Sequence, residues 1–158
     1  MKNSRRGKLA RACDAAAAAA SIPLPESESH VKLLLDTHTL LWWWKNDPRL
    51  SKKALKAIRD EDNVVLISAA SAWEIAIKHR IGKLPGVEHA VANFNELIAA
   101  DGFTHLAITH QHALTAGTFD AAHRDPFDRM LAAQAIIEGA AFVTDDPAIK
   151  QFRAKTLW

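Results

Sequence analysis

Two rhythms of apolar positions alternate along the chain from Val31 onward. Short runs of β-favouring residues at 31–35, 64–67, 103–108 and 141–144 read as buried strands, and Leu157 with Trp158 supplies a further edge. Between them, helical spacing of apolar residues covers 39–44, 51–60, 71–80, 88–100, 111–117, 128–138 and 147–152. The ends are punctuated as helices require. Ser51 and Ser71 stand where N-caps belong, and Gly82, Gly102 and Gly139 stand where a helix terminates in a left-handed residue. Strand alternating with helix predicts an α/β fold, a central and mostly parallel sheet flanked by helices.

Composition narrows this picture. A chain of 158 residues, 49% of them hydrophobic, buries one core and is short for two. The formal charge of +2 resides in residues 1–30, where five Lys/Arg meet three Asp/Glu, whereas residues 31–158 carry fifteen of each. Bulk charge therefore gives no argument for nucleic-acid binding, and any such argument must come from local patches. The single cysteine, Cys13, has no intrachain partner, which fits a reducing compartment; a cytoplasmic location is expected. No apolar run approaches the roughly 18 residues of a membrane span.

The first thirty residues differ from the rest. Lys2, Arg5, Arg6, Lys8 and Arg11 precede an alanine run as in a targeting peptide, but Asp14 interrupts it and alanine is weakly apolar for that role. We read residues 1–30 as a poorly ordered extension that closes in Pro23, Pro25, Glu26 and Glu28, and residues 31–158 as the domain.

In open α/β sheets the ligand crevice lies beyond the carboxyl ends of the strands. Asp36 follows the first strand run directly, and Asp145 and Asp146 follow the run at 141–144. Glu74 falls in the first turn of the helix expected after the second strand, and Asp125 and Asp128 bracket Pro126. Each has a local alternative. Asp36 could cap the next helix, Ser71 and Glu74 form a capping-box pattern, and the acids around Pro126 and Pro147 suit helix starts. Brought together, such carboxylates either gain protons or take up a divalent cation. The eight histidines are scattered without zinc spacing, so oxygen donors and a hard ion such as Mg²⁺ or Mn²⁺ are expected.

Four segments, in order, resemble the motifs of the PIN-domain family, in particular its VapC-type toxins. They are Leu33-Leu34-Leu35-Asp36-Thr37-His38-Thr39-Leu40-Leu41-Trp42, Ser71-Ala72-Trp73-Glu74-Ile75-Ala76-Ile77-Lys78, His123-Arg124-Asp125-Pro126-Phe127-Asp128-Arg129-Met130-Leu131-Ala132-Ala133-Gln134-Ala135, and Phe142-Val143-Thr144-Asp145-Asp146. The resemblance implies a PIN-like three-layer sandwich over residues 31–158. It also implies Asp36, Glu74, Asp128 and Asp146 as catalytic and metal-binding acids, with Asp125 fixing the loop and helix start. The activity implied is that of a Mg²⁺- or Mn²⁺-dependent endoribonuclease acting as the toxin of a toxin-antitoxin pair, with RNA as substrate, a cognate antitoxin as partner and a homodimer as the assembly.

Local basic residues are the candidates for phosphate contact: Lys78, Arg124 and Arg129, with His79, Arg80 and Lys83 near the first. A solvated helix face accounts for such charges equally well. Trp42, Trp43 and Trp44 point about 100° apart on a helix and cannot all face one core, so an exposed member should stack on a base or be buried at a dimer or antitoxin interface. Two other functions compete. A haloacid-dehalogenase-type phosphotransferase also begins with Asp after a strand, but the position two residues on is His38 in place of a second Asp. A catalytically inactive PIN-like scaffold would not need the acids.

Overall fold

The structure, a computed structural model, describes residues 30–158. The extension expected over residues 1–30 thus lies, except for His30, outside the described residues.

Five strands form one sheet: β1 (Lys32–Leu35), β2 (Val64–Ser68), β3 (Thr104–Leu106), β4 (Ala141–Val143) and β5 (Thr156–Leu157). Their order is β3-β2-β1-β4-β5, and every pair is parallel. Because side chains alternate along a strand, a sheet covered on both faces needs apolar residues at every position. Leu33 and Leu35 of β1 enter one core with Val65, Ile67, Ala141 and Val143, while Leu34 enters the other with Leu66 and Phe142. Two cores on one sheet make a three-layer sandwich.

The helices are α1 (Thr37–Trp44), α2 (Lys52–Arg59), α3 (Ala69–Arg80), α4 (Glu88–Ala92), α5 (Phe94–Ala100), α6 (His110–Thr118) and α7 (Pro126–Glu138), with a 3₁₀ helix at Pro147–Phe152. Residues of α1, α2 and α5 close the first core, and Leu131, Ala132 and Ala135 of α7 join Ile149 and Phe152 in the second. No described helix is long and apolar enough to cross a membrane.

Three expectations are corrected. The single helix over 88–100 is two, broken at Asn93 (φ −126°, ψ 35°), whose side-chain amide bonds the His89 carbonyl at 3.1 Å. Asparagine competes with the helical ladder in this way by offering its own bonds to nearby backbone. The third strand is shorter than 103–108, with Phe103 in the core ahead of it. The helix expected to start at Ser71 starts earlier, at Ala69, because the Ser68 hydroxyl accepts from Ala70 N at 2.9 Å. Ser51 caps α2 as expected, and Gly82, Gly102 and Gly139 all take positive φ.

The tryptophan run finds partners within the chain. Trp42 is buried, its ring 5.6 Å from that of Trp158; Trp43 meets Phe103, and Trp44 packs edge-on against Phe94 and donates to Asp101 at 2.9 Å. Trp43 and Trp44 stay half-buried, as the helical geometry demands. Neither base stacking nor an interface is needed to account for the run, since separate walls of the fold receive each ring.

Candidate active site

From β1 the chain turns toward β2 on one side, while β4 pairs β1 on the other. The point where the order reverses is therefore at the carboxyl ends of β1 and β4, where an open parallel sheet leaves a crevice. Asp36 is the first residue beyond β1, and Thr144, Asp145 and Asp146 follow β4. All four predicted acids, Asp36, Glu74, Asp128 and Asp146, line one cleft there, together with Asp125, Asp145, His38, Arg49 and Lys78.

Local structure shows why each acid stands where it does. Asp36 occupies the N-cap position of α1, yet its side chain makes no capping bond. Its Oδ2 accepts instead from the Thr144 hydroxyl at 2.8 Å, and that same hydroxyl oxygen accepts from Asp146 N at 3.1 Å. Thr144 thus ties the ends of β1 and β4 together. Glu74 is buried on α3, past its first turn, because the helix starts at Ala69. The capping box with Ser71 is not formed, since Ser71 is buried and accepts from the Thr37 hydroxyl at 3.1 Å. With capping gone, the Glu74 carboxylate pairs with Lys78 one turn on.

Asp125 does the capping at α7, accepting from Phe127 N at 2.8 Å and Asp128 N at 3.3 Å. Asp128, in the first turn of α7, is left to face the cleft and meets His123 Nε2 at 2.6 Å. Asp146 has both roles. One oxygen accepts from Ala148 N at 2.8 Å and starts the 3₁₀ helix, and the residue lines the cleft.

Six acids against two cations among the lining residues give the cleft an excess of negative charge. Burial pushes the Asp36 carboxyl from 3.8 up to about 6; the charges of Asp128 and Glu74 add to the rise, and the Thr144 bond and His38 oppose it. Asp128 is also raised, by burial and then by Asp125 and Glu74, against the His123 bond. Burial pulls the Lys78 ammonium down, but its bond to Glu74 and the nearby acids outweigh this and leave it raised. The donor set is hard oxygen, crowded and charge-excessive. It fits a hard divalent cation.

The basic candidates separate. Lys78 lines the cleft; Arg124 is exposed and is not among the lining residues. Arg129, expected at phosphate, clamps a loop in this structure. Its guanidinium donates to the carbonyls of Ala116 (2.9 Å), Phe119 (2.7 Å), Ala121 (3.3 Å) and His123 (2.9 Å), so most of its N–H donors are engaged, and it does not line the cleft. Arg49 lines the cleft instead, 5.0 Å over the Trp42 ring and paired with Asp47. Sequence reading missed Arg49, Thr144 and His123. Thr144 and His123 lay inside quoted motifs, and a hydroxyl directly after a strand was the available signal for Thr144; Arg49 offered none.

Known proteins bear on this geometry. The sequence matches the PIN domain over residues 33–155. Over 69 residues it is 41% identical to Ribonuclease VapC16 of Mycobacterium tuberculosis, a match covering 41% of this chain and about half, 49%, of that relative's length. Over 122 residues it is 30% identical to Ribonuclease VapC22 of the same organism, covering 77% of this chain and 92% of the relative. Among solved structures it resembles VapBC2 from Rickettsia felis bound to a promoter DNA fragment, with a TM-score of 0.60 at 14% identity, covering 81% of this chain and 98% of that one. VapBC-1 from nontypeable Haemophilus influenzae gives 0.59 at 18% identity, covering 80% and 97%. These two likenesses establish the shared fold, and the sequence matches establish the lineage: the chain belongs to the PIN-domain family.

Proposed function

We propose that this chain is a metal-dependent endoribonuclease that hydrolyses RNA phosphodiester bonds, using Mg²⁺ or Mn²⁺ held by Asp36, Glu74, Asp128 and Asp146, and that it is the toxin of a toxin-antitoxin pair. The observation that carries this reading is the convergence of four acids from four separate segments on one cleft at the carboxyl ends of β1 and β4. The names of the two curated relatives, both ribonucleases, support RNA as the substrate. Kinship with VapC proteins supports an antitoxin partner, since an unrestrained ribonuclease would degrade its own cell's RNA.

A bound divalent ion lowers the pKa of water and neutralises charge on the phosphoryl oxygens. The chain's own residues prepare for this. Thr144 fixes one Asp36 oxygen, leaving the other without that bond, and so orients the carboxylate before any ligand arrives. Lys78 offsets the Glu74 charge and, with Arg49, makes an acidic cleft less repellent to a phosphodiester. Asp125 and Arg129 hold the start of α7 and its preceding loop, and with them the position of Asp128.

Cleavage of a mixed RNA pool by the purified chain tests the proposal, with Mg²⁺ or Mn²⁺ in one arm and EDTA in the other. Internal cutting in the metal arm alone is expected, with no phosphate released from a small phosphomonoester. Absence of cutting in both arms would turn the reading toward a binding module.

A further inference from the structure

Among the described residues, the four acids do not form the tightest group of potential ligand atoms. That group is His123, Asp128 and Asp146, whose ligand atoms all lie within 4.8 Å of one another. We propose that His123 is itself a metal ligand, giving the cleft a nitrogen donor at its Asp128–Asp146 end and a preference for a later first-row ion such as Co²⁺ over Mg²⁺. The proposal rests on the metal-dependent reading above and adds a residue and a selectivity to it.

Three features support a ligand's role. The distances suit one: two atoms bound on opposite sides of a single ion, at about 2.1 Å each, stand about 4.2 Å apart, so small side-chain adjustments bring the three donors onto one ion. The donors are also pre-positioned. The His123 carbonyl is held by the Arg129 guanidinium at 2.9 Å, its ring stands edge-on to Phe152 at 5.7 Å, and the bond from Ala148 N fixes Asp146 while leaving its second carboxylate oxygen free of that contact. Access is open, because the side chains of His123 and Asp128 retain 20% and 21% of their exposure.

The chemistry of the set then decides which ion. Carboxylates alone suit Mg²⁺, Ca²⁺ and Mn²⁺, whereas imidazole suits later transition ions, whose affinity for mixed nitrogen and oxygen sites rises along the first row. His123 and Asp128 are five residues apart on a loop and a helix start, and Asp146 comes from the connection after β4. No short-range zinc spacing could reveal them. The competing role for His123 is to orient Asp128 through the 2.6 Å bond without touching the ion.

Pulsed electron paramagnetic resonance on the full chain loaded with Mn²⁺ separates the two. The wild type should show ¹⁴N coupling from a directly bound imidazole, lost in His123→Gln, and Co²⁺ should bind the variant more weakly while Mg²⁺ binding changes far less. Bound Mn²⁺ without directly coupled ¹⁴N in the wild type overturns the proposal, as do equal Co²⁺ affinities in a folded variant. Should His123→Gln fail to fold, His123→Asn takes its place, and His38→Gln is measured beside it, because His38 also lines the cleft and coupling that is lost there instead overturns the assignment. RNA cleavage by the same samples is followed in parallel: cutting without ¹⁴N coupling removes the ligand role and leaves the nuclease, whereas coupling without cutting does the reverse.

Discussion

Asp36 sits at the end of a buried strand, where ionisation competes with burial and with two other carboxylates. Folding raises its pKa from 3.8 to about 6, so between those values the folded chain keeps a proton that the unfolded chain has lost. Stability from this residue is thus greatest below about 3.8 and falls as pH rises through about 6. Replacing it by the neutral isostere removes that cost while keeping an acceptor for Thr144. Without metal at pH 7.5, Asp36→Asn should melt higher than the wild type, on the order of 5 °C, with the gap closing toward pH 4 in a thermal scan; a lower melting point would contradict the assigned environment. Arg129 makes the opposite case. Arg129→Met takes a charged donor from four carbonyls and should lower the unfolding free energy by about 2–3 kcal/mol in urea titrations. A variant as stable as the wild type, with weakened RNA binding, would return Arg129 to phosphate contact. At this scale Asp36, Asp128 and Asp146 were legible because a strand's end or a proline marks them, whereas Glu74 was singled out by the family resemblance. The roles of His123 and Arg129 were not, because they depend on where the loop of residues 119–125 folds back, which no local pattern states.

Among the elements, the start of α3 matters most to the site. Both Ser68 and Ser71 are good caps by type, and the capping-box pattern with Glu74 favours the second. The structure selects Ser68, whose hydroxyl both caps α3 and bonds the buried Gln134 side chain. Tertiary contact with α7 thereby decides between two locally equivalent starts, and the earlier one releases Glu74 from capping. Ser68→Ala should cost about 1–2 kcal/mol, read by denaturant unfolding. A loss of only a few tenths would place the cap elsewhere. Strand positions were legible from apolar runs, as were the ends at Gly82, Gly102 and Gly139. The break at Asn93 was not, since apolar spacing continues through residues 88–100 and only the asparagine's bond to His89 interrupts the ladder.

For the whole molecule, the parallel order β3-β2-β1-β4-β5 is what turns four scattered acids into one cleft. The alternation of strand and helix made the layered fold readable, and the acids were sought at strand ends by the general rule for open α/β sheets; the strand order, and hence the junction beside β1 and β4, was not read, because periodicity does not say which strands pair. The same closure encloses α1, so that Trp42, Trp43 and Trp44 find separate partners inside one chain. That arrangement was hidden because the partners, Trp158, Phe103 and Phe94, are remote in sequence. On the proposed function, the cleft beyond β1 cuts RNA through its acids. The most direct test is RNA cleavage by Asp36→Asn beside the wild type, at equal concentration of folded protein and with Mg²⁺ or Mn²⁺ supplied. Metal-dependent cutting by the wild type, reduced at least about a hundredfold in the variant, is the predicted result; equal cutting by both proteins would contradict the account.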